Sequence, residues 1–375
     1  MQHFYALDVI AELRDADPEM SPFVVVSGYS QAGDGGGGMF RWHEDSTEEP
    51  DGGLVFAGSQ PRGRWKRIPE AVHDVRHFGA KGDGDDATSA IQRALNAAAG
   101  GGSVYIPSGR YLVRTSLRVP QGAHVHGDGL FSEIHYYGPP QTGCFSSDRP
   151  EISQAMGFAR LNVLLQEENT WAFDLRGISF SRFDQLSIHM RKPRTSGFYG
   201  PGDGRSPYYN LFTACSISGA GDHRQNGCVG FDFWYDEGAR QSANANQVVG
   251  GHINTCQWAV RCYGTGNVFC GQVLEMVDTG YEFNLAPDRL KDQSKGTGND
   301  VFGVYTEYVD TVIRSGHKSC YVTAELTMVT GYKQVFEGDG TENQIVISPH
   351  DGVLESSRSF INRRIDTHAS FDKRE

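Results

Sequence analysis

Three segments of the chain can be laid over one another: Asn246-Gln-Val-Val-Gly250-Gly-His-Ile-Asn254-Thr-Cys-Gln257, Asn267-Val-Phe-Cys-Gly271-Gln-Val-Leu-Glu275-Met-Val-Asp278 and Asn299-Asp-Val-Phe-Gly303-Val-Tyr-Thr-Glu307-Tyr-Val-Asp310. In each, Asn opens, Gly stands four residues later, an apolar residue or Thr takes the eighth place, and polar residues take the ninth and twelfth. The spacing is 21 residues and then 32, which is 21 with an insertion of 11. A weaker copy, Asn210-Leu-Phe-Thr-Ala-Cys-Ser-Ile-Ser218, precedes them with Ala in the Gly place. A period just above twenty, with short β-branched or aromatic runs broken by Asn and Gly, fits one turn of a parallel β-solenoid. Equivalent residues then stack from coil to coil. The Asn positions predict a side-chain ladder at one corner, and the Gly positions predict a backbone of positive φ. A β-sandwich or propeller would match these offsets only by chance.

Composition fits this reading. Gly contributes 47 of 375 residues, above the average usage of about 7%, so the chain is rich in turns. A solenoid grows by adding coils and can use most of such a length in one body. The net charge of −12 argues against nucleic acid or an anionic membrane as partner. No apolar run approaches the roughly eighteen residues of a spanning helix. The first residues lack a basic n-region and a long apolar stretch, so no signal peptide is expected. Seven cysteines form no Cys-x-x-Cys pair, a pattern of free thiols in a reducing compartment.

Residues 1–70 differ from the rest and read as a small β-rich head. Residues 7–14 suit a short helix and Phe23–Val26 a strand. A Gly-rich loop then leads to Phe40 and Trp42, which alternate as in a strand, and Asp51-Gly-Gly53 turns toward Leu54-Val-Phe56 and Gly63-Arg-Trp65-Lys-Arg67. The four glycines 35–38 are followed by neither a helix start nor Lys-Ser/Thr, so they read as a hairpin loop and not a phosphate cradle. The solenoid is expected over 71–355, with a capping strand and helix in 71–100 and a polar tail or cap in 356–375.

Residues 75–98 begin like a strand, pass the acidic turn Asp83-Gly-Asp85-Asp86, and enter an amphipathic helix through Thr88, Ile91 and Leu95. Gly100-Gly-Gly-Ser-Val104-Tyr-Ile106-Pro107-Ser-Gly109-Arg-Tyr111 gives a first coil, and Leu117-Arg-Val119 with His124-Val-His126-Gly-Asp-Gly129 a second. This stretch resembles the opening segment of the pectate-lyase-like superfamily of right-handed parallel β-helices, which includes bacteriophage tailspike depolymerases. The shared elements are Phe78-Gly-Ala-Lys-Gly-Asp83-Gly, the acidic pair Asp85-Asp86, Ala90-Ile-Gln92, the Gly-Gly-x-Val-x-Ile-Pro run and Gly127-Asp-Gly129. The spacer before the acidic pair is two residues shorter than is usual in the family. The resemblance implies an all-β, right-handed single-stranded parallel β-helix in which this segment caps the open end. Its acids are therefore not catalytic candidates. The head resembles the module that precedes such helices in phage tailspikes, which implies a virion protein attached through its N-terminal domain to a phage tail or baseplate, and a homotrimer.

Between 191 and 205 the chain reads as a long loop mixing Arg with Phe198 and Tyr199, suited either to contact with sugar or to a solvent-exposed linker. A second cluster, Phe231-Asp-Phe-Trp234-Tyr-Asp236-Glu237, offers Trp234 and Asp236 as sugar contacts, or else a core strand with an acidic turn.

Candidate chemistry follows from the stacking. With the insertion around 285–296 looped out, Glu275 and Glu307 fall on adjacent coils, as do Asp278 and Asp310. Adjacent strands lie about 4.8 Å apart, close to the ~5–5.5 Å between the carboxyl groups of a retaining glycosidase. Like charges at that distance separate an acid from a base. A solvated acidic ladder is the plain alternative. A lyase would instead use His252, Tyr305, Arg261 or Tyr308, and His252 and Tyr305 share the seventh repeat position two coils apart. The Asn-Thr-Asp, Asp-Asp and Gly-His-Gly set that the polygalacturonase branch carries downstream of the capping segment is not found there. The expectation is a bacterial polysaccharide depolymerase, hydrolase before lyase, needing no cofactor or metal. The alternative from another class is a non-catalytic carbohydrate-binding fibre on the same scaffold.

Overall fold

The computed structural model describes residues 5–149, 151–201, 205, 207–234, 243–283, 298–315, 322–338 and 344–347. Each coil of its main body runs through three faces. Gln247–Val249 lies on the first face, His252–Asn254 on the second and Trp258–Cys262 on the third. One coil later the first face is Val268–Cys270, while a single long strand, Val273–Phe283, bends round the second and third. Asn299–Ser315 then covers all three faces without a break. The inter-coil pairings are parallel throughout, as a right-handed parallel β-helix requires.

The corners explain the repeat. Asn210 donates from its backbone N to Oδ1 of Asn246 at 3.1 Å, Asn246 to Asn267 at 3.0 Å, and Asn267 to Asn299 at 3.0 Å. Their side-chain amides bond along the same ladder, and all four are buried. The expected Asn ladder is therefore present. The Gly positions take the left-handed region, with φ of 65° at Gly250, 70° at Gly271 and 60° at Gly303, and Ala214 adopts φ 50° at the equivalent corner. Glycine reaches that region without steric cost.

Inside, two rows of rings interlock. Phe145, Phe173, Phe198 and Phe231 stack down the third face at 5.3, 5.2 and 4.8 Å. Phe158, Phe183 and Phe212 stack down the first at 5.1 and 4.7 Å. The rows meet edge to face, the arrangement aromatic quadrupoles favour. Residues 191–205 are thus not simply a loop. Ser196–Tyr199 is a third-face strand, and Phe198 is core and not a sugar contact. Phe231 and Phe233 are core as well, and Cys215 and Cys256 fill space as buried thiols.

The helix Thr88–Ala97 closes the N-terminal end, burying Ala90, Ile91, Ala94 and Leu95. Gln92 accepts from the backbone N of Arg118 at 2.8 Å and donates to its carbonyl at 2.9 Å, so a helix side chain satisfies the open edge of the first coil. Leu117–Val119 is the third face of that first coil and not the start of a second. Val75–Phe78, which reads as a strand in sequence, is a 3-10 turn following the short strand His73–Asp74.

The head is a five-stranded sheet ordered Tyr5–Val9, Phe23–Gly28, Gly38–His43, Arg64–Arg67, Val55–Ala57. A strand and a 3-10 turn, Ile10–Asp15, replace the helix expected over 7–14. The Gly-rich loop is a hairpin connection. Asp34 accepts backbone N–H bonds from Tyr29, Ser30, Gln31 and Gly36, and the buried Arg67 guanidinium donates to the carbonyls of Gly36, Gly37 and Gly53. A Cβ at Gly38 would collide with that guanidinium. The proposed tail, 356–375, lies outside the described residues.

Replacing Asn267 by Ala removes an amide that also donates to the carbonyl of Ala243 at 3.0 Å. Each buried group left unpaired costs about 1–3 kcal/mol. Denaturant unfolding of Asn267→Ala should therefore show a loss of roughly 3 kcal/mol; a negligible change would mean the ladder does not hold the corner.

Candidate functional site

The insertion decides whether the proposed acids meet. The long strands pair without a register shift from Val273↔Tyr305 through Glu275↔Glu307 and Val277↔Val309 to Phe283↔Ser315. The extra residues fall after Phe283 and before Gly298, outside both strands. Glu275 therefore sits directly beside Glu307 on the second face. One coil earlier, Asn254 stands beside Glu275 and His252 beside Val273.

Each glutamate has a ring partner. His252 Nε2 lies 3.2 Å from Glu275 Oε2, and the Tyr305 hydroxyl donates to Glu307 Oε2 at 3.0 Å. Asn254 Nδ2 approaches His252 Nδ1 at 3.5 Å. His252, Glu275, Tyr305 and Glu307 are all half-buried, accessible yet fixed. The hydrogen bond to Glu307, together with the charges of Glu307 and Glu275, raises the Tyr305 phenol above the ordinary tyrosine value. Tyr305 thus stays protonated as a donor.

The twelfth-position acids behave differently. Asp310 is 7% exposed. It accepts from Arg224 Nε at 2.7 Å, Arg224 Nη2 at 3.2 Å and Lys333 Nζ at 2.6 Å. Burial alone would raise the Asp310 carboxyl, but the hydrogen bonds and charges of Arg224 and Lys333 outweigh it and hold it below the usual aspartate value. Such a carboxylate is a structural anion and a poor proton donor. Asp278 accepts from the hydroxyl of Thr279 at 3.3 Å. Tyr308 takes the left-handed corner at φ 55° with its ring 60% exposed, beside the glutamate row but not bonded into it.

Arg261 and Trp234 lie on another face. Arg261 Nη2 donates to the buried Asp232 at 2.8 Å, and its guanidinium lies over the rings of Trp258 at 4.7 Å and Trp234 at 5.7 Å. It belongs to a third-face row in which Asp232, Arg261, Glu282, Arg314 and Glu337 alternate in charge from coil to coil. Arg314 bonds to Glu282 at 3.2 Å and to Glu337 at 2.8 Å. Arg261 and Trp234 are therefore not brought together with Glu275 and Glu307, and Asp236 lies outside the described residues. Sequence reading missed Arg224 and Lys333, since nothing local to Asp310 signals a partner 86 residues away.

Taken together, these faces define a parallel β-helix whose second face carries a paired-carboxylate row. Residues 72–192 match the family described as rhamnogalacturonase A/epimerase, pectate lyase-like. Residues 6–70 match the phage tail protein small four-stranded beta-sheet domain, with Tyr5–Val9 as part of a five-stranded sheet here. The two matches follow one another in the chain and fall on the β-sheet head and on the first coils of the β-helix. Its fold is similar to tailspike protein gp49 of Acinetobacter baumannii bacteriophage Fri1, a capsular polysaccharide depolymerase, at 16% identity and a TM-score of 0.61, covering 91% of this chain and 66% of that one. It is also similar to the tailspike protein of Acinetobacter phage vB_ApiP_P1, at 15% identity and a TM-score of 0.54, covering 92% of this chain and 70% of that one. In sequence, alginate lyase 7 of Azotobacter vinelandii is 34% identical over 112 residues, 26% of this chain and 13% of that protein. The chain thus spans a small part of that relative.

Asp310 also generates a pH prediction. Because its folded-state value is depressed, its stabilising contribution is present above the unfolded value of about 3.9 and is lost as pH falls through the folded value. The thermal midpoint of the protein should exceed that of Asp310→Asn by a constant margin at neutral pH, and the margin should shrink below about pH 4. A margin unchanged down to strong acid would show that Arg224 and Lys333 do not hold the carboxylate.

Proposed function

We propose that this protein is a virion-borne depolymerase of a bacterial capsular or exopolysaccharide, cleaving glycosidic bonds with Glu275 and Glu307. The observation that carries this reading is the unshifted pairing of Glu275 with Glu307 on adjacent coils, at the ~4.8 Å strand spacing that suits a retaining carboxylate pair. In this reading Glu307, which accepts the Tyr305 hydroxyl, is the ionised partner that attacks the anomeric carbon. Glu275, oriented by His252, donates a proton to the leaving oxygen as Glu307 bonds to the anomeric carbon; Glu275, left as a carboxylate, then takes a proton from the water that displaces Glu307 from that carbon. In this reading Asp310, paired with Arg224 and Lys333, supports the corner next to the site, and Asp278 carries no step of the cleavage.

The likeness to tailspikes, one of them a capsular polysaccharide depolymerase, and to an alginate lyase supports a polysaccharide substrate. The phage-tail match of the head supports attachment to a virion through residues 6–70, and the tailspike resemblance supports a homotrimer. An exposed stack of Phe180 on Tyr209 at 4.9 Å, 53% and 59% exposed, offers apolar surface for subunit contact. Cleavage by β-elimination is the second reading, favoured by the His252 and Tyr305 contacts. It needs a group that removes the proton alpha to the carboxylate, and a phenol kept protonated by Glu307 serves better as the acid that protonates the leaving oxygen. Arg261, held on the third face by Asp232, does not serve this site.

Digestion of a panel of capsular polysaccharides tests the reading. New reducing ends without the ultraviolet absorbance of an unsaturated uronate are expected. Both signals together would establish the lyase, and neither signal the binding fibre. Glu275→Gln and Glu307→Gln should each lower the rate by about 100-fold or more with the fold intact; full activity in both would remove the assigned site.

A further inference from the structure

Earlier on the second face stands another constellation of reactive side chains. The strands Ser187–Met190 and Ser216–Ser218 precede His252–Asn254, and His189, Ser218, Asn254 and Glu275 occupy one row on successive coils. Ile188, Ile217 and Ile253 are buried between these positions and their neighbours, so the residues on either side of them face outward.

Within the row, the Ser218 hydroxyl lies 2.9 Å from His189 Nδ1, and the Ser187 hydroxyl lies 3.1 Å from His189 Nε2. Among the described residues, His189 is the one hydrogen-bond partner of Ser218 Oγ. Other histidines of the β-helix are placed differently. Ser103 meets His126 at 3.2 Å but also bonds to the His124 carbonyl at 3.4 Å, and the two nitrogens of His135 face Glu133 and Gln166. At His189 the ring meets a serine hydroxyl with no competing acceptor.

The arrangement has the parts of an activated nucleophile. A nucleophile within hydrogen-bond reach of a base, itself oriented by a third group, is the general signature of covalent catalysis. Ser187 is 8% exposed and fixed, whereas His189 and Ser218 are half-buried and open to solvent. With Nε2 donating to Ser187, the Nδ1 lone pair is left for the Ser218 proton. Burial, aided by the charge of Arg191 and opposed by that of Glu133, holds the imidazole below the ordinary histidine value, so it is a free base near neutral pH. Asn254 pairs with Ser218 on the next coil, about 4.8 Å away. Its Oδ1 is held by the Thr255 hydroxyl at 3.2 Å, and its Nδ2 approaches His252 Nδ1 at 3.5 Å. An amide carries two N–H groups, so the second is a donor for negative charge developing beside Ser218.

We propose that Ser218 and His189 form a second active centre, an esterase that removes acyl groups from sugar hydroxyls. Ser218 Oγ bonds to the ester carbonyl carbon while His189 Nδ1 takes its proton. The bond from that carbon to the sugar oxygen then breaks, and His189 returns the proton to that oxygen. Water next attacks the acyl-serine and gives a proton to His189; the bond to Ser218 Oγ breaks, the proton returns to Oγ, and a carboxylic acid leaves. Ester and water thus become alcohol and acid. Ser218 lies two strand spacings, about 9.6 Å, from Glu275, so a glycan along the second face passes both centres. That the ester belongs to a sugar rests on the proposed polysaccharide substrate; the pairing of serine with histidine does not.

The test is hydrolysis of p-nitrophenyl acetate by the full chain, with mass spectrometry after an acid quench and, separately, after exposure to diisopropyl fluorophosphate. Release of p-nitrophenol above the rate in buffer is expected, with an acetyl or phosphoryl adduct on Ser218. Ser218→Ala and His189→Gln should each lower the release by about 100-fold or more, with the thermal midpoint unchanged. The adduct is read on the unsubstituted protein, so it decides the question even where a variant folds poorly. No hydrolysis above buffer, a rate that either variant leaves unchanged, or an adduct confined to other residues overturns the proposal. A Ser218 adduct on a protein that cleaves no polysaccharide upholds the esterase while rejecting the depolymerase; polysaccharide cleavage without that adduct does the reverse.

Discussion

The structure depends on the coils from Leu211 to Ser315 being hydrogen-bonded to one another in unshifted register. A slip of one residue would turn every inward side chain outward, so register sets the core and the surface rows at once. The Asn ladder fixes it at one corner, because each amide bonds both to the backbone and to the amide of the neighbouring coil. The stacked phenylalanines fix it inside. Glu275 beside Glu307 is a consequence of the same register.

That constraint gives different faces different chemistry. The second face presents half-buried His252, Glu275, Tyr305 and Glu307, joined pairwise by His252 with Glu275 and Tyr305 with Glu307 yet open to solvent. The later coils of the third face neutralise their charges internally through Asp232, Arg261, Glu282, Arg314 and Glu337. Asp310 shows the difference within one repeat, since Arg224 and Lys333 convert it into part of the scaffold.

Much of this was legible in the sequence because the first two strands of each coil are short and joined by turns of constant length. Asn, Gly and the ninth-position residue therefore recur at fixed offsets, and the prediction that Glu275 and Glu307 are neighbours needed only the insertion to lie outside the strands. The third strand was hidden because the connections around it vary in length. Phe198 therefore read as part of a loop although it lies in the aromatic core, and Arg261 read as a lyase candidate along with His252 and Tyr305 although it lies on another face. Ion pairs between distant segments, such as Arg224 with Asp310, leave no periodic trace.

The most direct measurement of the central claim is a crystal structure of the Glu275→Gln, Glu307→Gln chain with an oligosaccharide from a capsular polysaccharide that the unsubstituted protein is found to cleave. The account predicts a scissile linkage over the second face, with its glycosidic oxygen within hydrogen-bonding distance of residue 275 and its anomeric carbon facing residue 307. A productive oligosaccharide bound on another face, with residues 275 and 307 left in contact with solvent alone, would contradict it.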